Sequence, residues 1–282
     1  MFISSVTDEV SPDRSSTSIP HVFGKLSRYG VRHTEIRMVE NKRYPAVDAA
    51  AWGRLKASAD DHGVTFTSVS PGLFKCPLGS DLLSAHRDGL LQASLTLAEG
   101  IGVSTLVVFG VQRGAADTPK DIEQVIDLLG SVADTAADRG FRVQLENIPG
   151  SWADTSDNCL TLLQGVGREN FGYIWDTGNL YEAEAEHFLA GYQKLKPYIE
   201  NVHLKDGRFI DGEMTWQRFG EGVTDIQGQV ETLVRDGYDG SVTIEAKCEP
   251  HEEEDFDVSI QFLQALLEHA GERQAGSGRV RV

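Results

Sequence analysis

The segment DTPKDIEQVIDLLGSVADTAADRGFRVQLEN, residues 117–147, contains one complete structural unit. Ile122, Val125, Ile126, Leu129, Val132, Ala133 and Ala136 recur at helical spacing, with charged residues on the opposite face. Asp121 and Glu123 near the start and Arg139 near the end suit the helix dipole. Gly140 then permits the left-handed turn that ends a helix. The β-rich run Arg142-Val143-Gln144-Leu145-Glu146 follows and closes on a carboxylate. The segment predicts an amphipathic helix feeding a short buried strand.

The same alternation runs outward in both directions. Candidate strands fall at residues 2–6, 31–36, 64–70, 105–109, 142–146, 172–175, 199–204 and 241–245, with helical patterns between them. Gly30 and Gly63 stand just before the second and third strands, as Gly140 stands before the fifth. Strands alternating with helices imply parallel βαβ units with right-handed crossovers, and eight such units close into a barrel. The expected fold is α/β, a single-domain (β/α)8 TIM barrel over residues 1–270. Residues 271–282, with Gly276, Ser277 and Gly278, are expected to form a flexible C-terminal tail.

Composition narrows the function. The chain has 282 residues, 40% of them hydrophobic, which suffices for a large core without disulfides. No run approaches eighteen consecutive apolar residues, so no membrane span is expected, and the N-terminus reads as a strand and not as a secretory signal. Cys76, Cys159 and Cys248 are odd in number and scattered, which suits a reducing cytoplasm. The net charge of −17 argues against a nucleic-acid partner, which needs a basic surface. Small molecules, metal ions and further copies of the chain in a homo-oligomer are the expected partners. No GxGxxG, GxxxxGK[ST] or GxSxG pattern is present.

In an α/β barrel the chemistry lies where strands end. The marked strand-end residues are Glu9, Glu35, Ser70, Phe109, Glu146, Asp176, His203 and Glu245. A lone histidine or glutamate in such a place is more often a hydrogen-bonded core residue or a helix cap than a ligand. Four candidate donors on four consecutive strands, Glu146, Asp176, His203 and Glu245, change that balance, because carboxylates converging on one mouth repel one another and need a cation. Three oxygen donors and one imidazole suit one divalent ion, with Mn²⁺ expected and Mg²⁺, Co²⁺ or Fe²⁺ as alternatives. Zinc is less favoured, since no thiolate and only one histidine fall at strand ends. Glu9, Glu35, Lys75, Trp152, Asn179, Lys205, Asp206 and Arg208 are candidate substrate contacts, as is Lys247 just past Glu245.

On these residues the chain resembles the xylose isomerase-like TIM-barrel superfamily, the sugar phosphate isomerase/epimerase group. The resemblance runs from Thr7-Asp8-Glu9 to Glu245 and is carried by Leu145-Glu146-Asn147, Trp175-Asp176-Thr177-Gly178-Asn179, Val202-His203-Leu204-Lys205-Asp206, Gly220-Glu221-Gly222 and Ile244-Glu245. It implies that Glu146, Asp176, His203 and Glu245 bind the metal and that Glu146 and Glu245 act as an acid/base pair. The implied activity is isomerisation or epimerisation of a keto-sugar or cyclitol by proton abstraction beside a carbonyl. Two positions depart from the ketose 3-epimerase pattern: Asn179 stands where those enzymes carry histidine, and Phe209, beside Arg208, where they carry arginine. Asn179 brings in a dehydratase as the alternative, eliminating water from the same kind of substrate. An endonuclease IV-like role is disfavoured by the acidity and by Ser70 and Phe109, which stand where that relative needs histidines.

Overall fold

The helix at the centre of the opening segment forms as Ile122–Ala137, and it buries Val125, Leu129, Val132, Ala133 and Ala136 while Ile122 and Ile126 are half-buried. Gly140 follows with φ 75°, and the chain enters the strand Arg142–Glu146. The helix Ala49–His62 shows the same logic with clearer caps. The Asp48 side chain accepts from the Ala51 amide at one end, and Gly63 at φ 62° donates its amide back to the last turn at the other. The computed structural model describes residues 1–11, 18–246 and 252–277.

Eight strands close into one barrel: β1 (Phe2–Val6), β2 (His33–Ile36), β3 (Thr65–Leu73), β4 (Thr105–Phe109), β5 (Arg142–Glu146), β6 (Phe171–Asp176), β7 (Ile199–Leu204) and β8 (Ser241–Ile244). Every strand pairs in parallel with its sequence neighbour, and β8 closes on β1. Helices follow the strands and pack outside. The fold class is the expected one. Two differences are local: β3 runs on through Pro71 and Gly72 to Leu73, and two short antiparallel hairpins follow β2 (Met38–Val39 with Lys42–Arg43) and β7 (Asp206–Ile210 with Glu213–Gln217). The last helix spans Glu252–Ser277, so helical backbone continues beyond residue 270; residues 278–282 and Lys247 lie outside the described residues.

The main apolar core lies between the sheet and the helices. The barrel interior is divided. On one wall Val107, Phe109 and Ile174 form a separate apolar cluster with Ile148 beside it. On the other wall the buried residues are polar: Glu35, Ser68, Asn201, His203 and Thr243. Strand register places Phe109, Glu146 and Ile174 level across β4, β5 and β6, and Asp176, His203 and Thr243 level across β6, β7 and β8. No helix among the described residues is long and apolar enough to cross a membrane.

Candidate metal centre

Glu146, Asp176, His203 and Glu245 converge as the sequence suggests. Each offers one ligand atom within 4.8 Å of the others, and all four residues are buried. Glu146 ends β5, Asp176 ends β6 and His203 lies in β7, while Glu245 stands one residue past β8. Asn147 ties two of these strand ends together. Its Nδ2 donates to the Asp176 carbonyl (2.9 Å), and its Oδ1 accepts from the Asp176 amide (2.9 Å) and the Tyr173 hydroxyl (2.7 Å). Asp176 also caps the following helix, with Oδ1 accepting from the Asn179 amide at 2.9 Å.

The imidazole of His203 is oriented from behind. Its Nε2 lies 2.9 Å from Glu35 Oε1, and that carboxylate is held by Asn201 Nδ2 (2.6 Å), Thr243 Oγ1 (2.9 Å) and Ser68 Oγ (3.0 Å). Nδ1 therefore points into the cluster, 3.3 Å from Glu245 Oε2 and 3.7 Å from Glu146 Oε1, and it is buried with no well-formed hydrogen bond among the described residues. A buried imidazole nitrogen aimed at carboxylates, with its other nitrogen fixed by a carboxylate, is the arrangement of a metal ligand. The four residues fit a divalent ion.

The electrostatics agree. Burial alone would lower His203, but Glu35, Glu245 and Glu146 hold its imidazolium well above the ordinary value. Burial would raise Glu35, yet His203 and the hydrogen bonds from Asn201 and Thr243 hold it below the usual carboxylate range. Asp176, buried beside Glu245 and Glu146, is pushed up to about 6 despite Lys205. Clustered acids of this kind stay ionised together only beside a cation.

The two outer carboxylates differ. Glu245 Oε1 accepts from Arg37 Nη1 at 3.0 Å, and Oε2 faces Lys205 Nζ at 2.7 Å as well as His203. Arg37 in turn binds Asp8 Oδ2 (2.8 Å) and Glu9, so one guanidinium joins the ends of β1, β2 and β8. Glu146 has no such partners: among the described residues its carboxylate accepts no hydrogen bond, and it borders the cavity. Arg37 escaped the sequence reading, because its partner Glu245 is 208 residues away.

A cavity of about 340 Å³ opens over the cluster, bordered by Glu146, His203, Glu245, Lys205, Arg37, Lys75, Phe109 and Asn179 among others. Of the candidate substrate contacts, Lys75, Asn179 and Lys205 line it, with Lys75 Nζ 3.8 Å from the centre of the Phe109 ring. Glu9 pairs with Arg37, and Glu35 borders the cavity but is committed to His203. Three others are placed elsewhere. Trp152 is 2% exposed in the core, with the Arg113 guanidinium 4.1 Å from its ring centre, so no face is open for a sugar. Asp206 accepts from the amides of Gly207 (2.9 Å), Gly220 (2.8 Å), Gly222 (3.0 Å) and Thr224 (3.2 Å), which organises the loop after β7 and leaves Glu35 as the partner of His203 Nε2. Arg208 is exposed and donates to the Glu221 carbonyl.

Known proteins share this architecture. An inosose dehydratase from Yersinia enterocolitica is 28% identical over 191 residues, 62% of this chain and 63% of that enzyme, so the match spans under two thirds of the relative. The structure of an L-ribulose 3-epimerase superposes with a TM-score of 0.79 over 100% of this chain and 99% of that one, at 18% identity. A structure described as IOLI protein with a bound zinc atom gives a TM-score of 0.79 over 96% of this chain and 99% of that one, at 16% identity. These two likenesses show the fold. A family model described as xylose isomerase-like TIM barrel matches residues 23–266, and this chain belongs to that family.

Proposed function

We propose that this protein is a divalent-metal-dependent dehydratase that eliminates water from a cyclic polyhydroxy ketone of the inosose class. Mn²⁺ is the proposed ion, held by Glu146, Asp176, His203 and Glu245. A divalent ion there supplies an electrophile that polarises the substrate carbonyl and acidifies the neighbouring C–H. One observation carries the choice of elimination: among the described residues Arg37 donates to Glu245, whereas nothing donates to Glu146. Glu245 gives Oε1 to Arg37 and turns Oε2 toward His203 and Lys205. Among the described residues Glu146 accepts no hydrogen bond, and it borders the cavity.

Glu146 therefore takes the carbon-bound proton beside the carbonyl. The electron pair of that C–H bond becomes the new C=C bond as the adjacent C–O bond breaks. Lys205 gives a proton to the departing hydroxyl, which leaves as water, and both residues are reset from solvent. Lys205 suits this role. Burial would lower its basicity, but Asp176, Glu245 and Glu146 hold it protonated. The aligned region of the Yersinia inosose dehydratase supports the substrate class.

Isomerisation or epimerisation is the second reading, favoured by Glu146 and Glu245 both bordering the cavity. It needs a second carboxylate able to receive or return a proton, and Arg37 opposes that at Glu245. The mass of the product distinguishes the two. With inosose and Mn²⁺, the product should be lighter than the substrate by one water; a product of unchanged mass would establish isomerase chemistry instead.

A further inference from the structure

The ammonium of Lys205 sits among the very oxygens that would hold the ion. Its Nζ is 2.6 Å from Asp176 Oδ2 and 2.7 Å from Glu245 Oε2, and Asn179 Oδ1 is 3.2 Å away. Two of these three partners belong to the four-residue metal set. The side chain is 2% exposed. Its stem has little freedom: a Cβ at position 178 would lie 2.5 Å from Lys205 Cβ and 2.8 Å from the Trp216 ring, so glycine there lets helix, lysine and tryptophan approach one another. The Trp216 ring lies 5.6 Å from Nζ.

We propose that Lys205 and the divalent ion are rivals for Asp176 and Glu245, so that this lysine sets the protein's metal affinity. The inference rests on the metal-centre reading of the same four residues. A buried cation beside two ligand carboxylates repels an incoming cation through a medium that screens poorly. Each carboxylate oxygen that the ammonium holds must also be released or shared when the ion arrives. Release need not strand the ammonium in an apolar wall, because Asn179 Oδ1 is beside it and the cavity it lines is open. Ion loading thus frees the amine to face the substrate, which joins metal binding to the proton-donating step.

The test is Mn²⁺ binding to the metal-stripped full chain, measured by calorimetry and by the electron paramagnetic resonance of free Mn²⁺. Lys205→Met should bind Mn²⁺ about tenfold or more tightly than the unaltered protein, the usual range for coupling between two sites. Lys205→Arg, which keeps the charge, should bind no more tightly. Mn²⁺ should also raise the melting temperature of Lys205→Met more than that of the unaltered chain. If Lys205→Met does not fold, Lys205→Gln carries the same comparison with a neutral polar head. Equal or weaker binding by the folded neutral variant, or equal tightening by arginine, overturns the rivalry while leaving the metal centre standing. If neither the unaltered chain nor the neutral variant binds Mn²⁺, the metal-centre reading falls and takes this inference with it.

Discussion

The two walls of the barrel interior solve opposite problems. The wall of β4 to β6 is apolar at Val107, Phe109 and Ile174, and Glu146 stands at its upper edge, accepting no hydrogen bond among the described residues. The wall of β7, β8, β2 and β3 is a network in which Asn201, Thr243 and Ser68 hold Glu35 and Glu35 holds His203, while Arg37 holds Glu245. Among the described residues nothing donates a hydrogen bond to the carboxylate on the first wall, which borders the cavity. One on the second wall is fixed in place, which disfavours it as the base in the proposed reaction. The proposed division, chemistry on the apolar side and rigidity on the polar side, follows from which strand contributes which neighbours.

Breaking the apolar side should have the largest effect. Glu146→Gln at saturating Mn²⁺ should lower turnover by about 10³-fold, within the range for loss of a general base, with circular dichroism and the melting profile little changed. Retention of more than a tenth of the activity would remove Glu146 from its role.

On the polar side the cost should fall on stability and ion binding. Glu35→Gln removes the charge that faces buried His203 and disturbs the bonds to Asn201, Thr243 and Ser68. Breaking a buried ion pair costs roughly 3–5 kcal/mol, and glutamine keeps one acceptor, so a loss of about 3 kcal/mol is expected in urea unfolding of the metal-stripped protein. Mn²⁺ affinity should fall roughly 10- to 100-fold, as for other carboxylates that orient a ligand histidine. An unchanged midpoint would mean that the network is ornamental.

A smaller, graded effect is expected from pH. His203 is raised in the folded protein, so its contribution to stability is fully present below about 6.5, its ordinary value, and is lost as pH climbs through the raised value. Glu35 is depressed, so its contribution is present above about 4.3 and is lost as pH falls through the lowered value. The metal-stripped protein should therefore draw most from this pair between those two limits. Ion binding runs the other way: Mn²⁺ must replace a proton on His203 Nδ1, so affinity should rise with pH, with roughly one proton released per ion in calorimetry across two buffers. Affinity independent of pH would detach His203 from the ion.

The smallest effect belongs to the rim. Arg208→Ala removes an exposed side chain from a loop carbonyl and should change stability by less than about 0.5 kcal/mol. A large loss of substrate affinity in that variant would bring Arg208 into the site and sharpen the boundary of the polar wall.

The barrel and the convergence of Glu146, Asp176, His203 and Glu245 were legible because each depends on local pattern: an amphipathic helix, a glycine and a short strand, with the four side chains at a known end of their strands. What the polar wall does was not legible, because its meaning lies in pairs far apart in sequence. Glu35 reads as a lone strand-end acid until His203 and Asn201 are folded against it, 168 and 166 residues on. Arg37 carries no local signal and acquires its role only when β8 closes on β1. Trp152 shows the opposite error. An aromatic in a loop after a catalytic strand suggests a sugar platform, but here it is buried beneath Arg113. Asp206 follows His203 so closely that it reads as a substrate contact, yet the glycine-rich loop after β7 needs its amides satisfied, and Asp206 accepts from four of them.

The central claim is that Glu146 alone moves the carbon-bound proton while Glu245 serves the ion. Hydrogen exchange at the carbon beside the carbonyl of inosose, followed by mass spectrometry in deuterated water at saturating Mn²⁺, tests it most directly in Glu146→Gln and Glu245→Gln side by side. The account predicts that Glu245→Gln, once loaded with ion, still exchanges that hydrogen within about tenfold of the unaltered protein, and that Glu146→Gln loses exchange by about 10³-fold. Equal loss of exchange in both ion-loaded variants would contradict it and make the two walls partners in the same proton transfer.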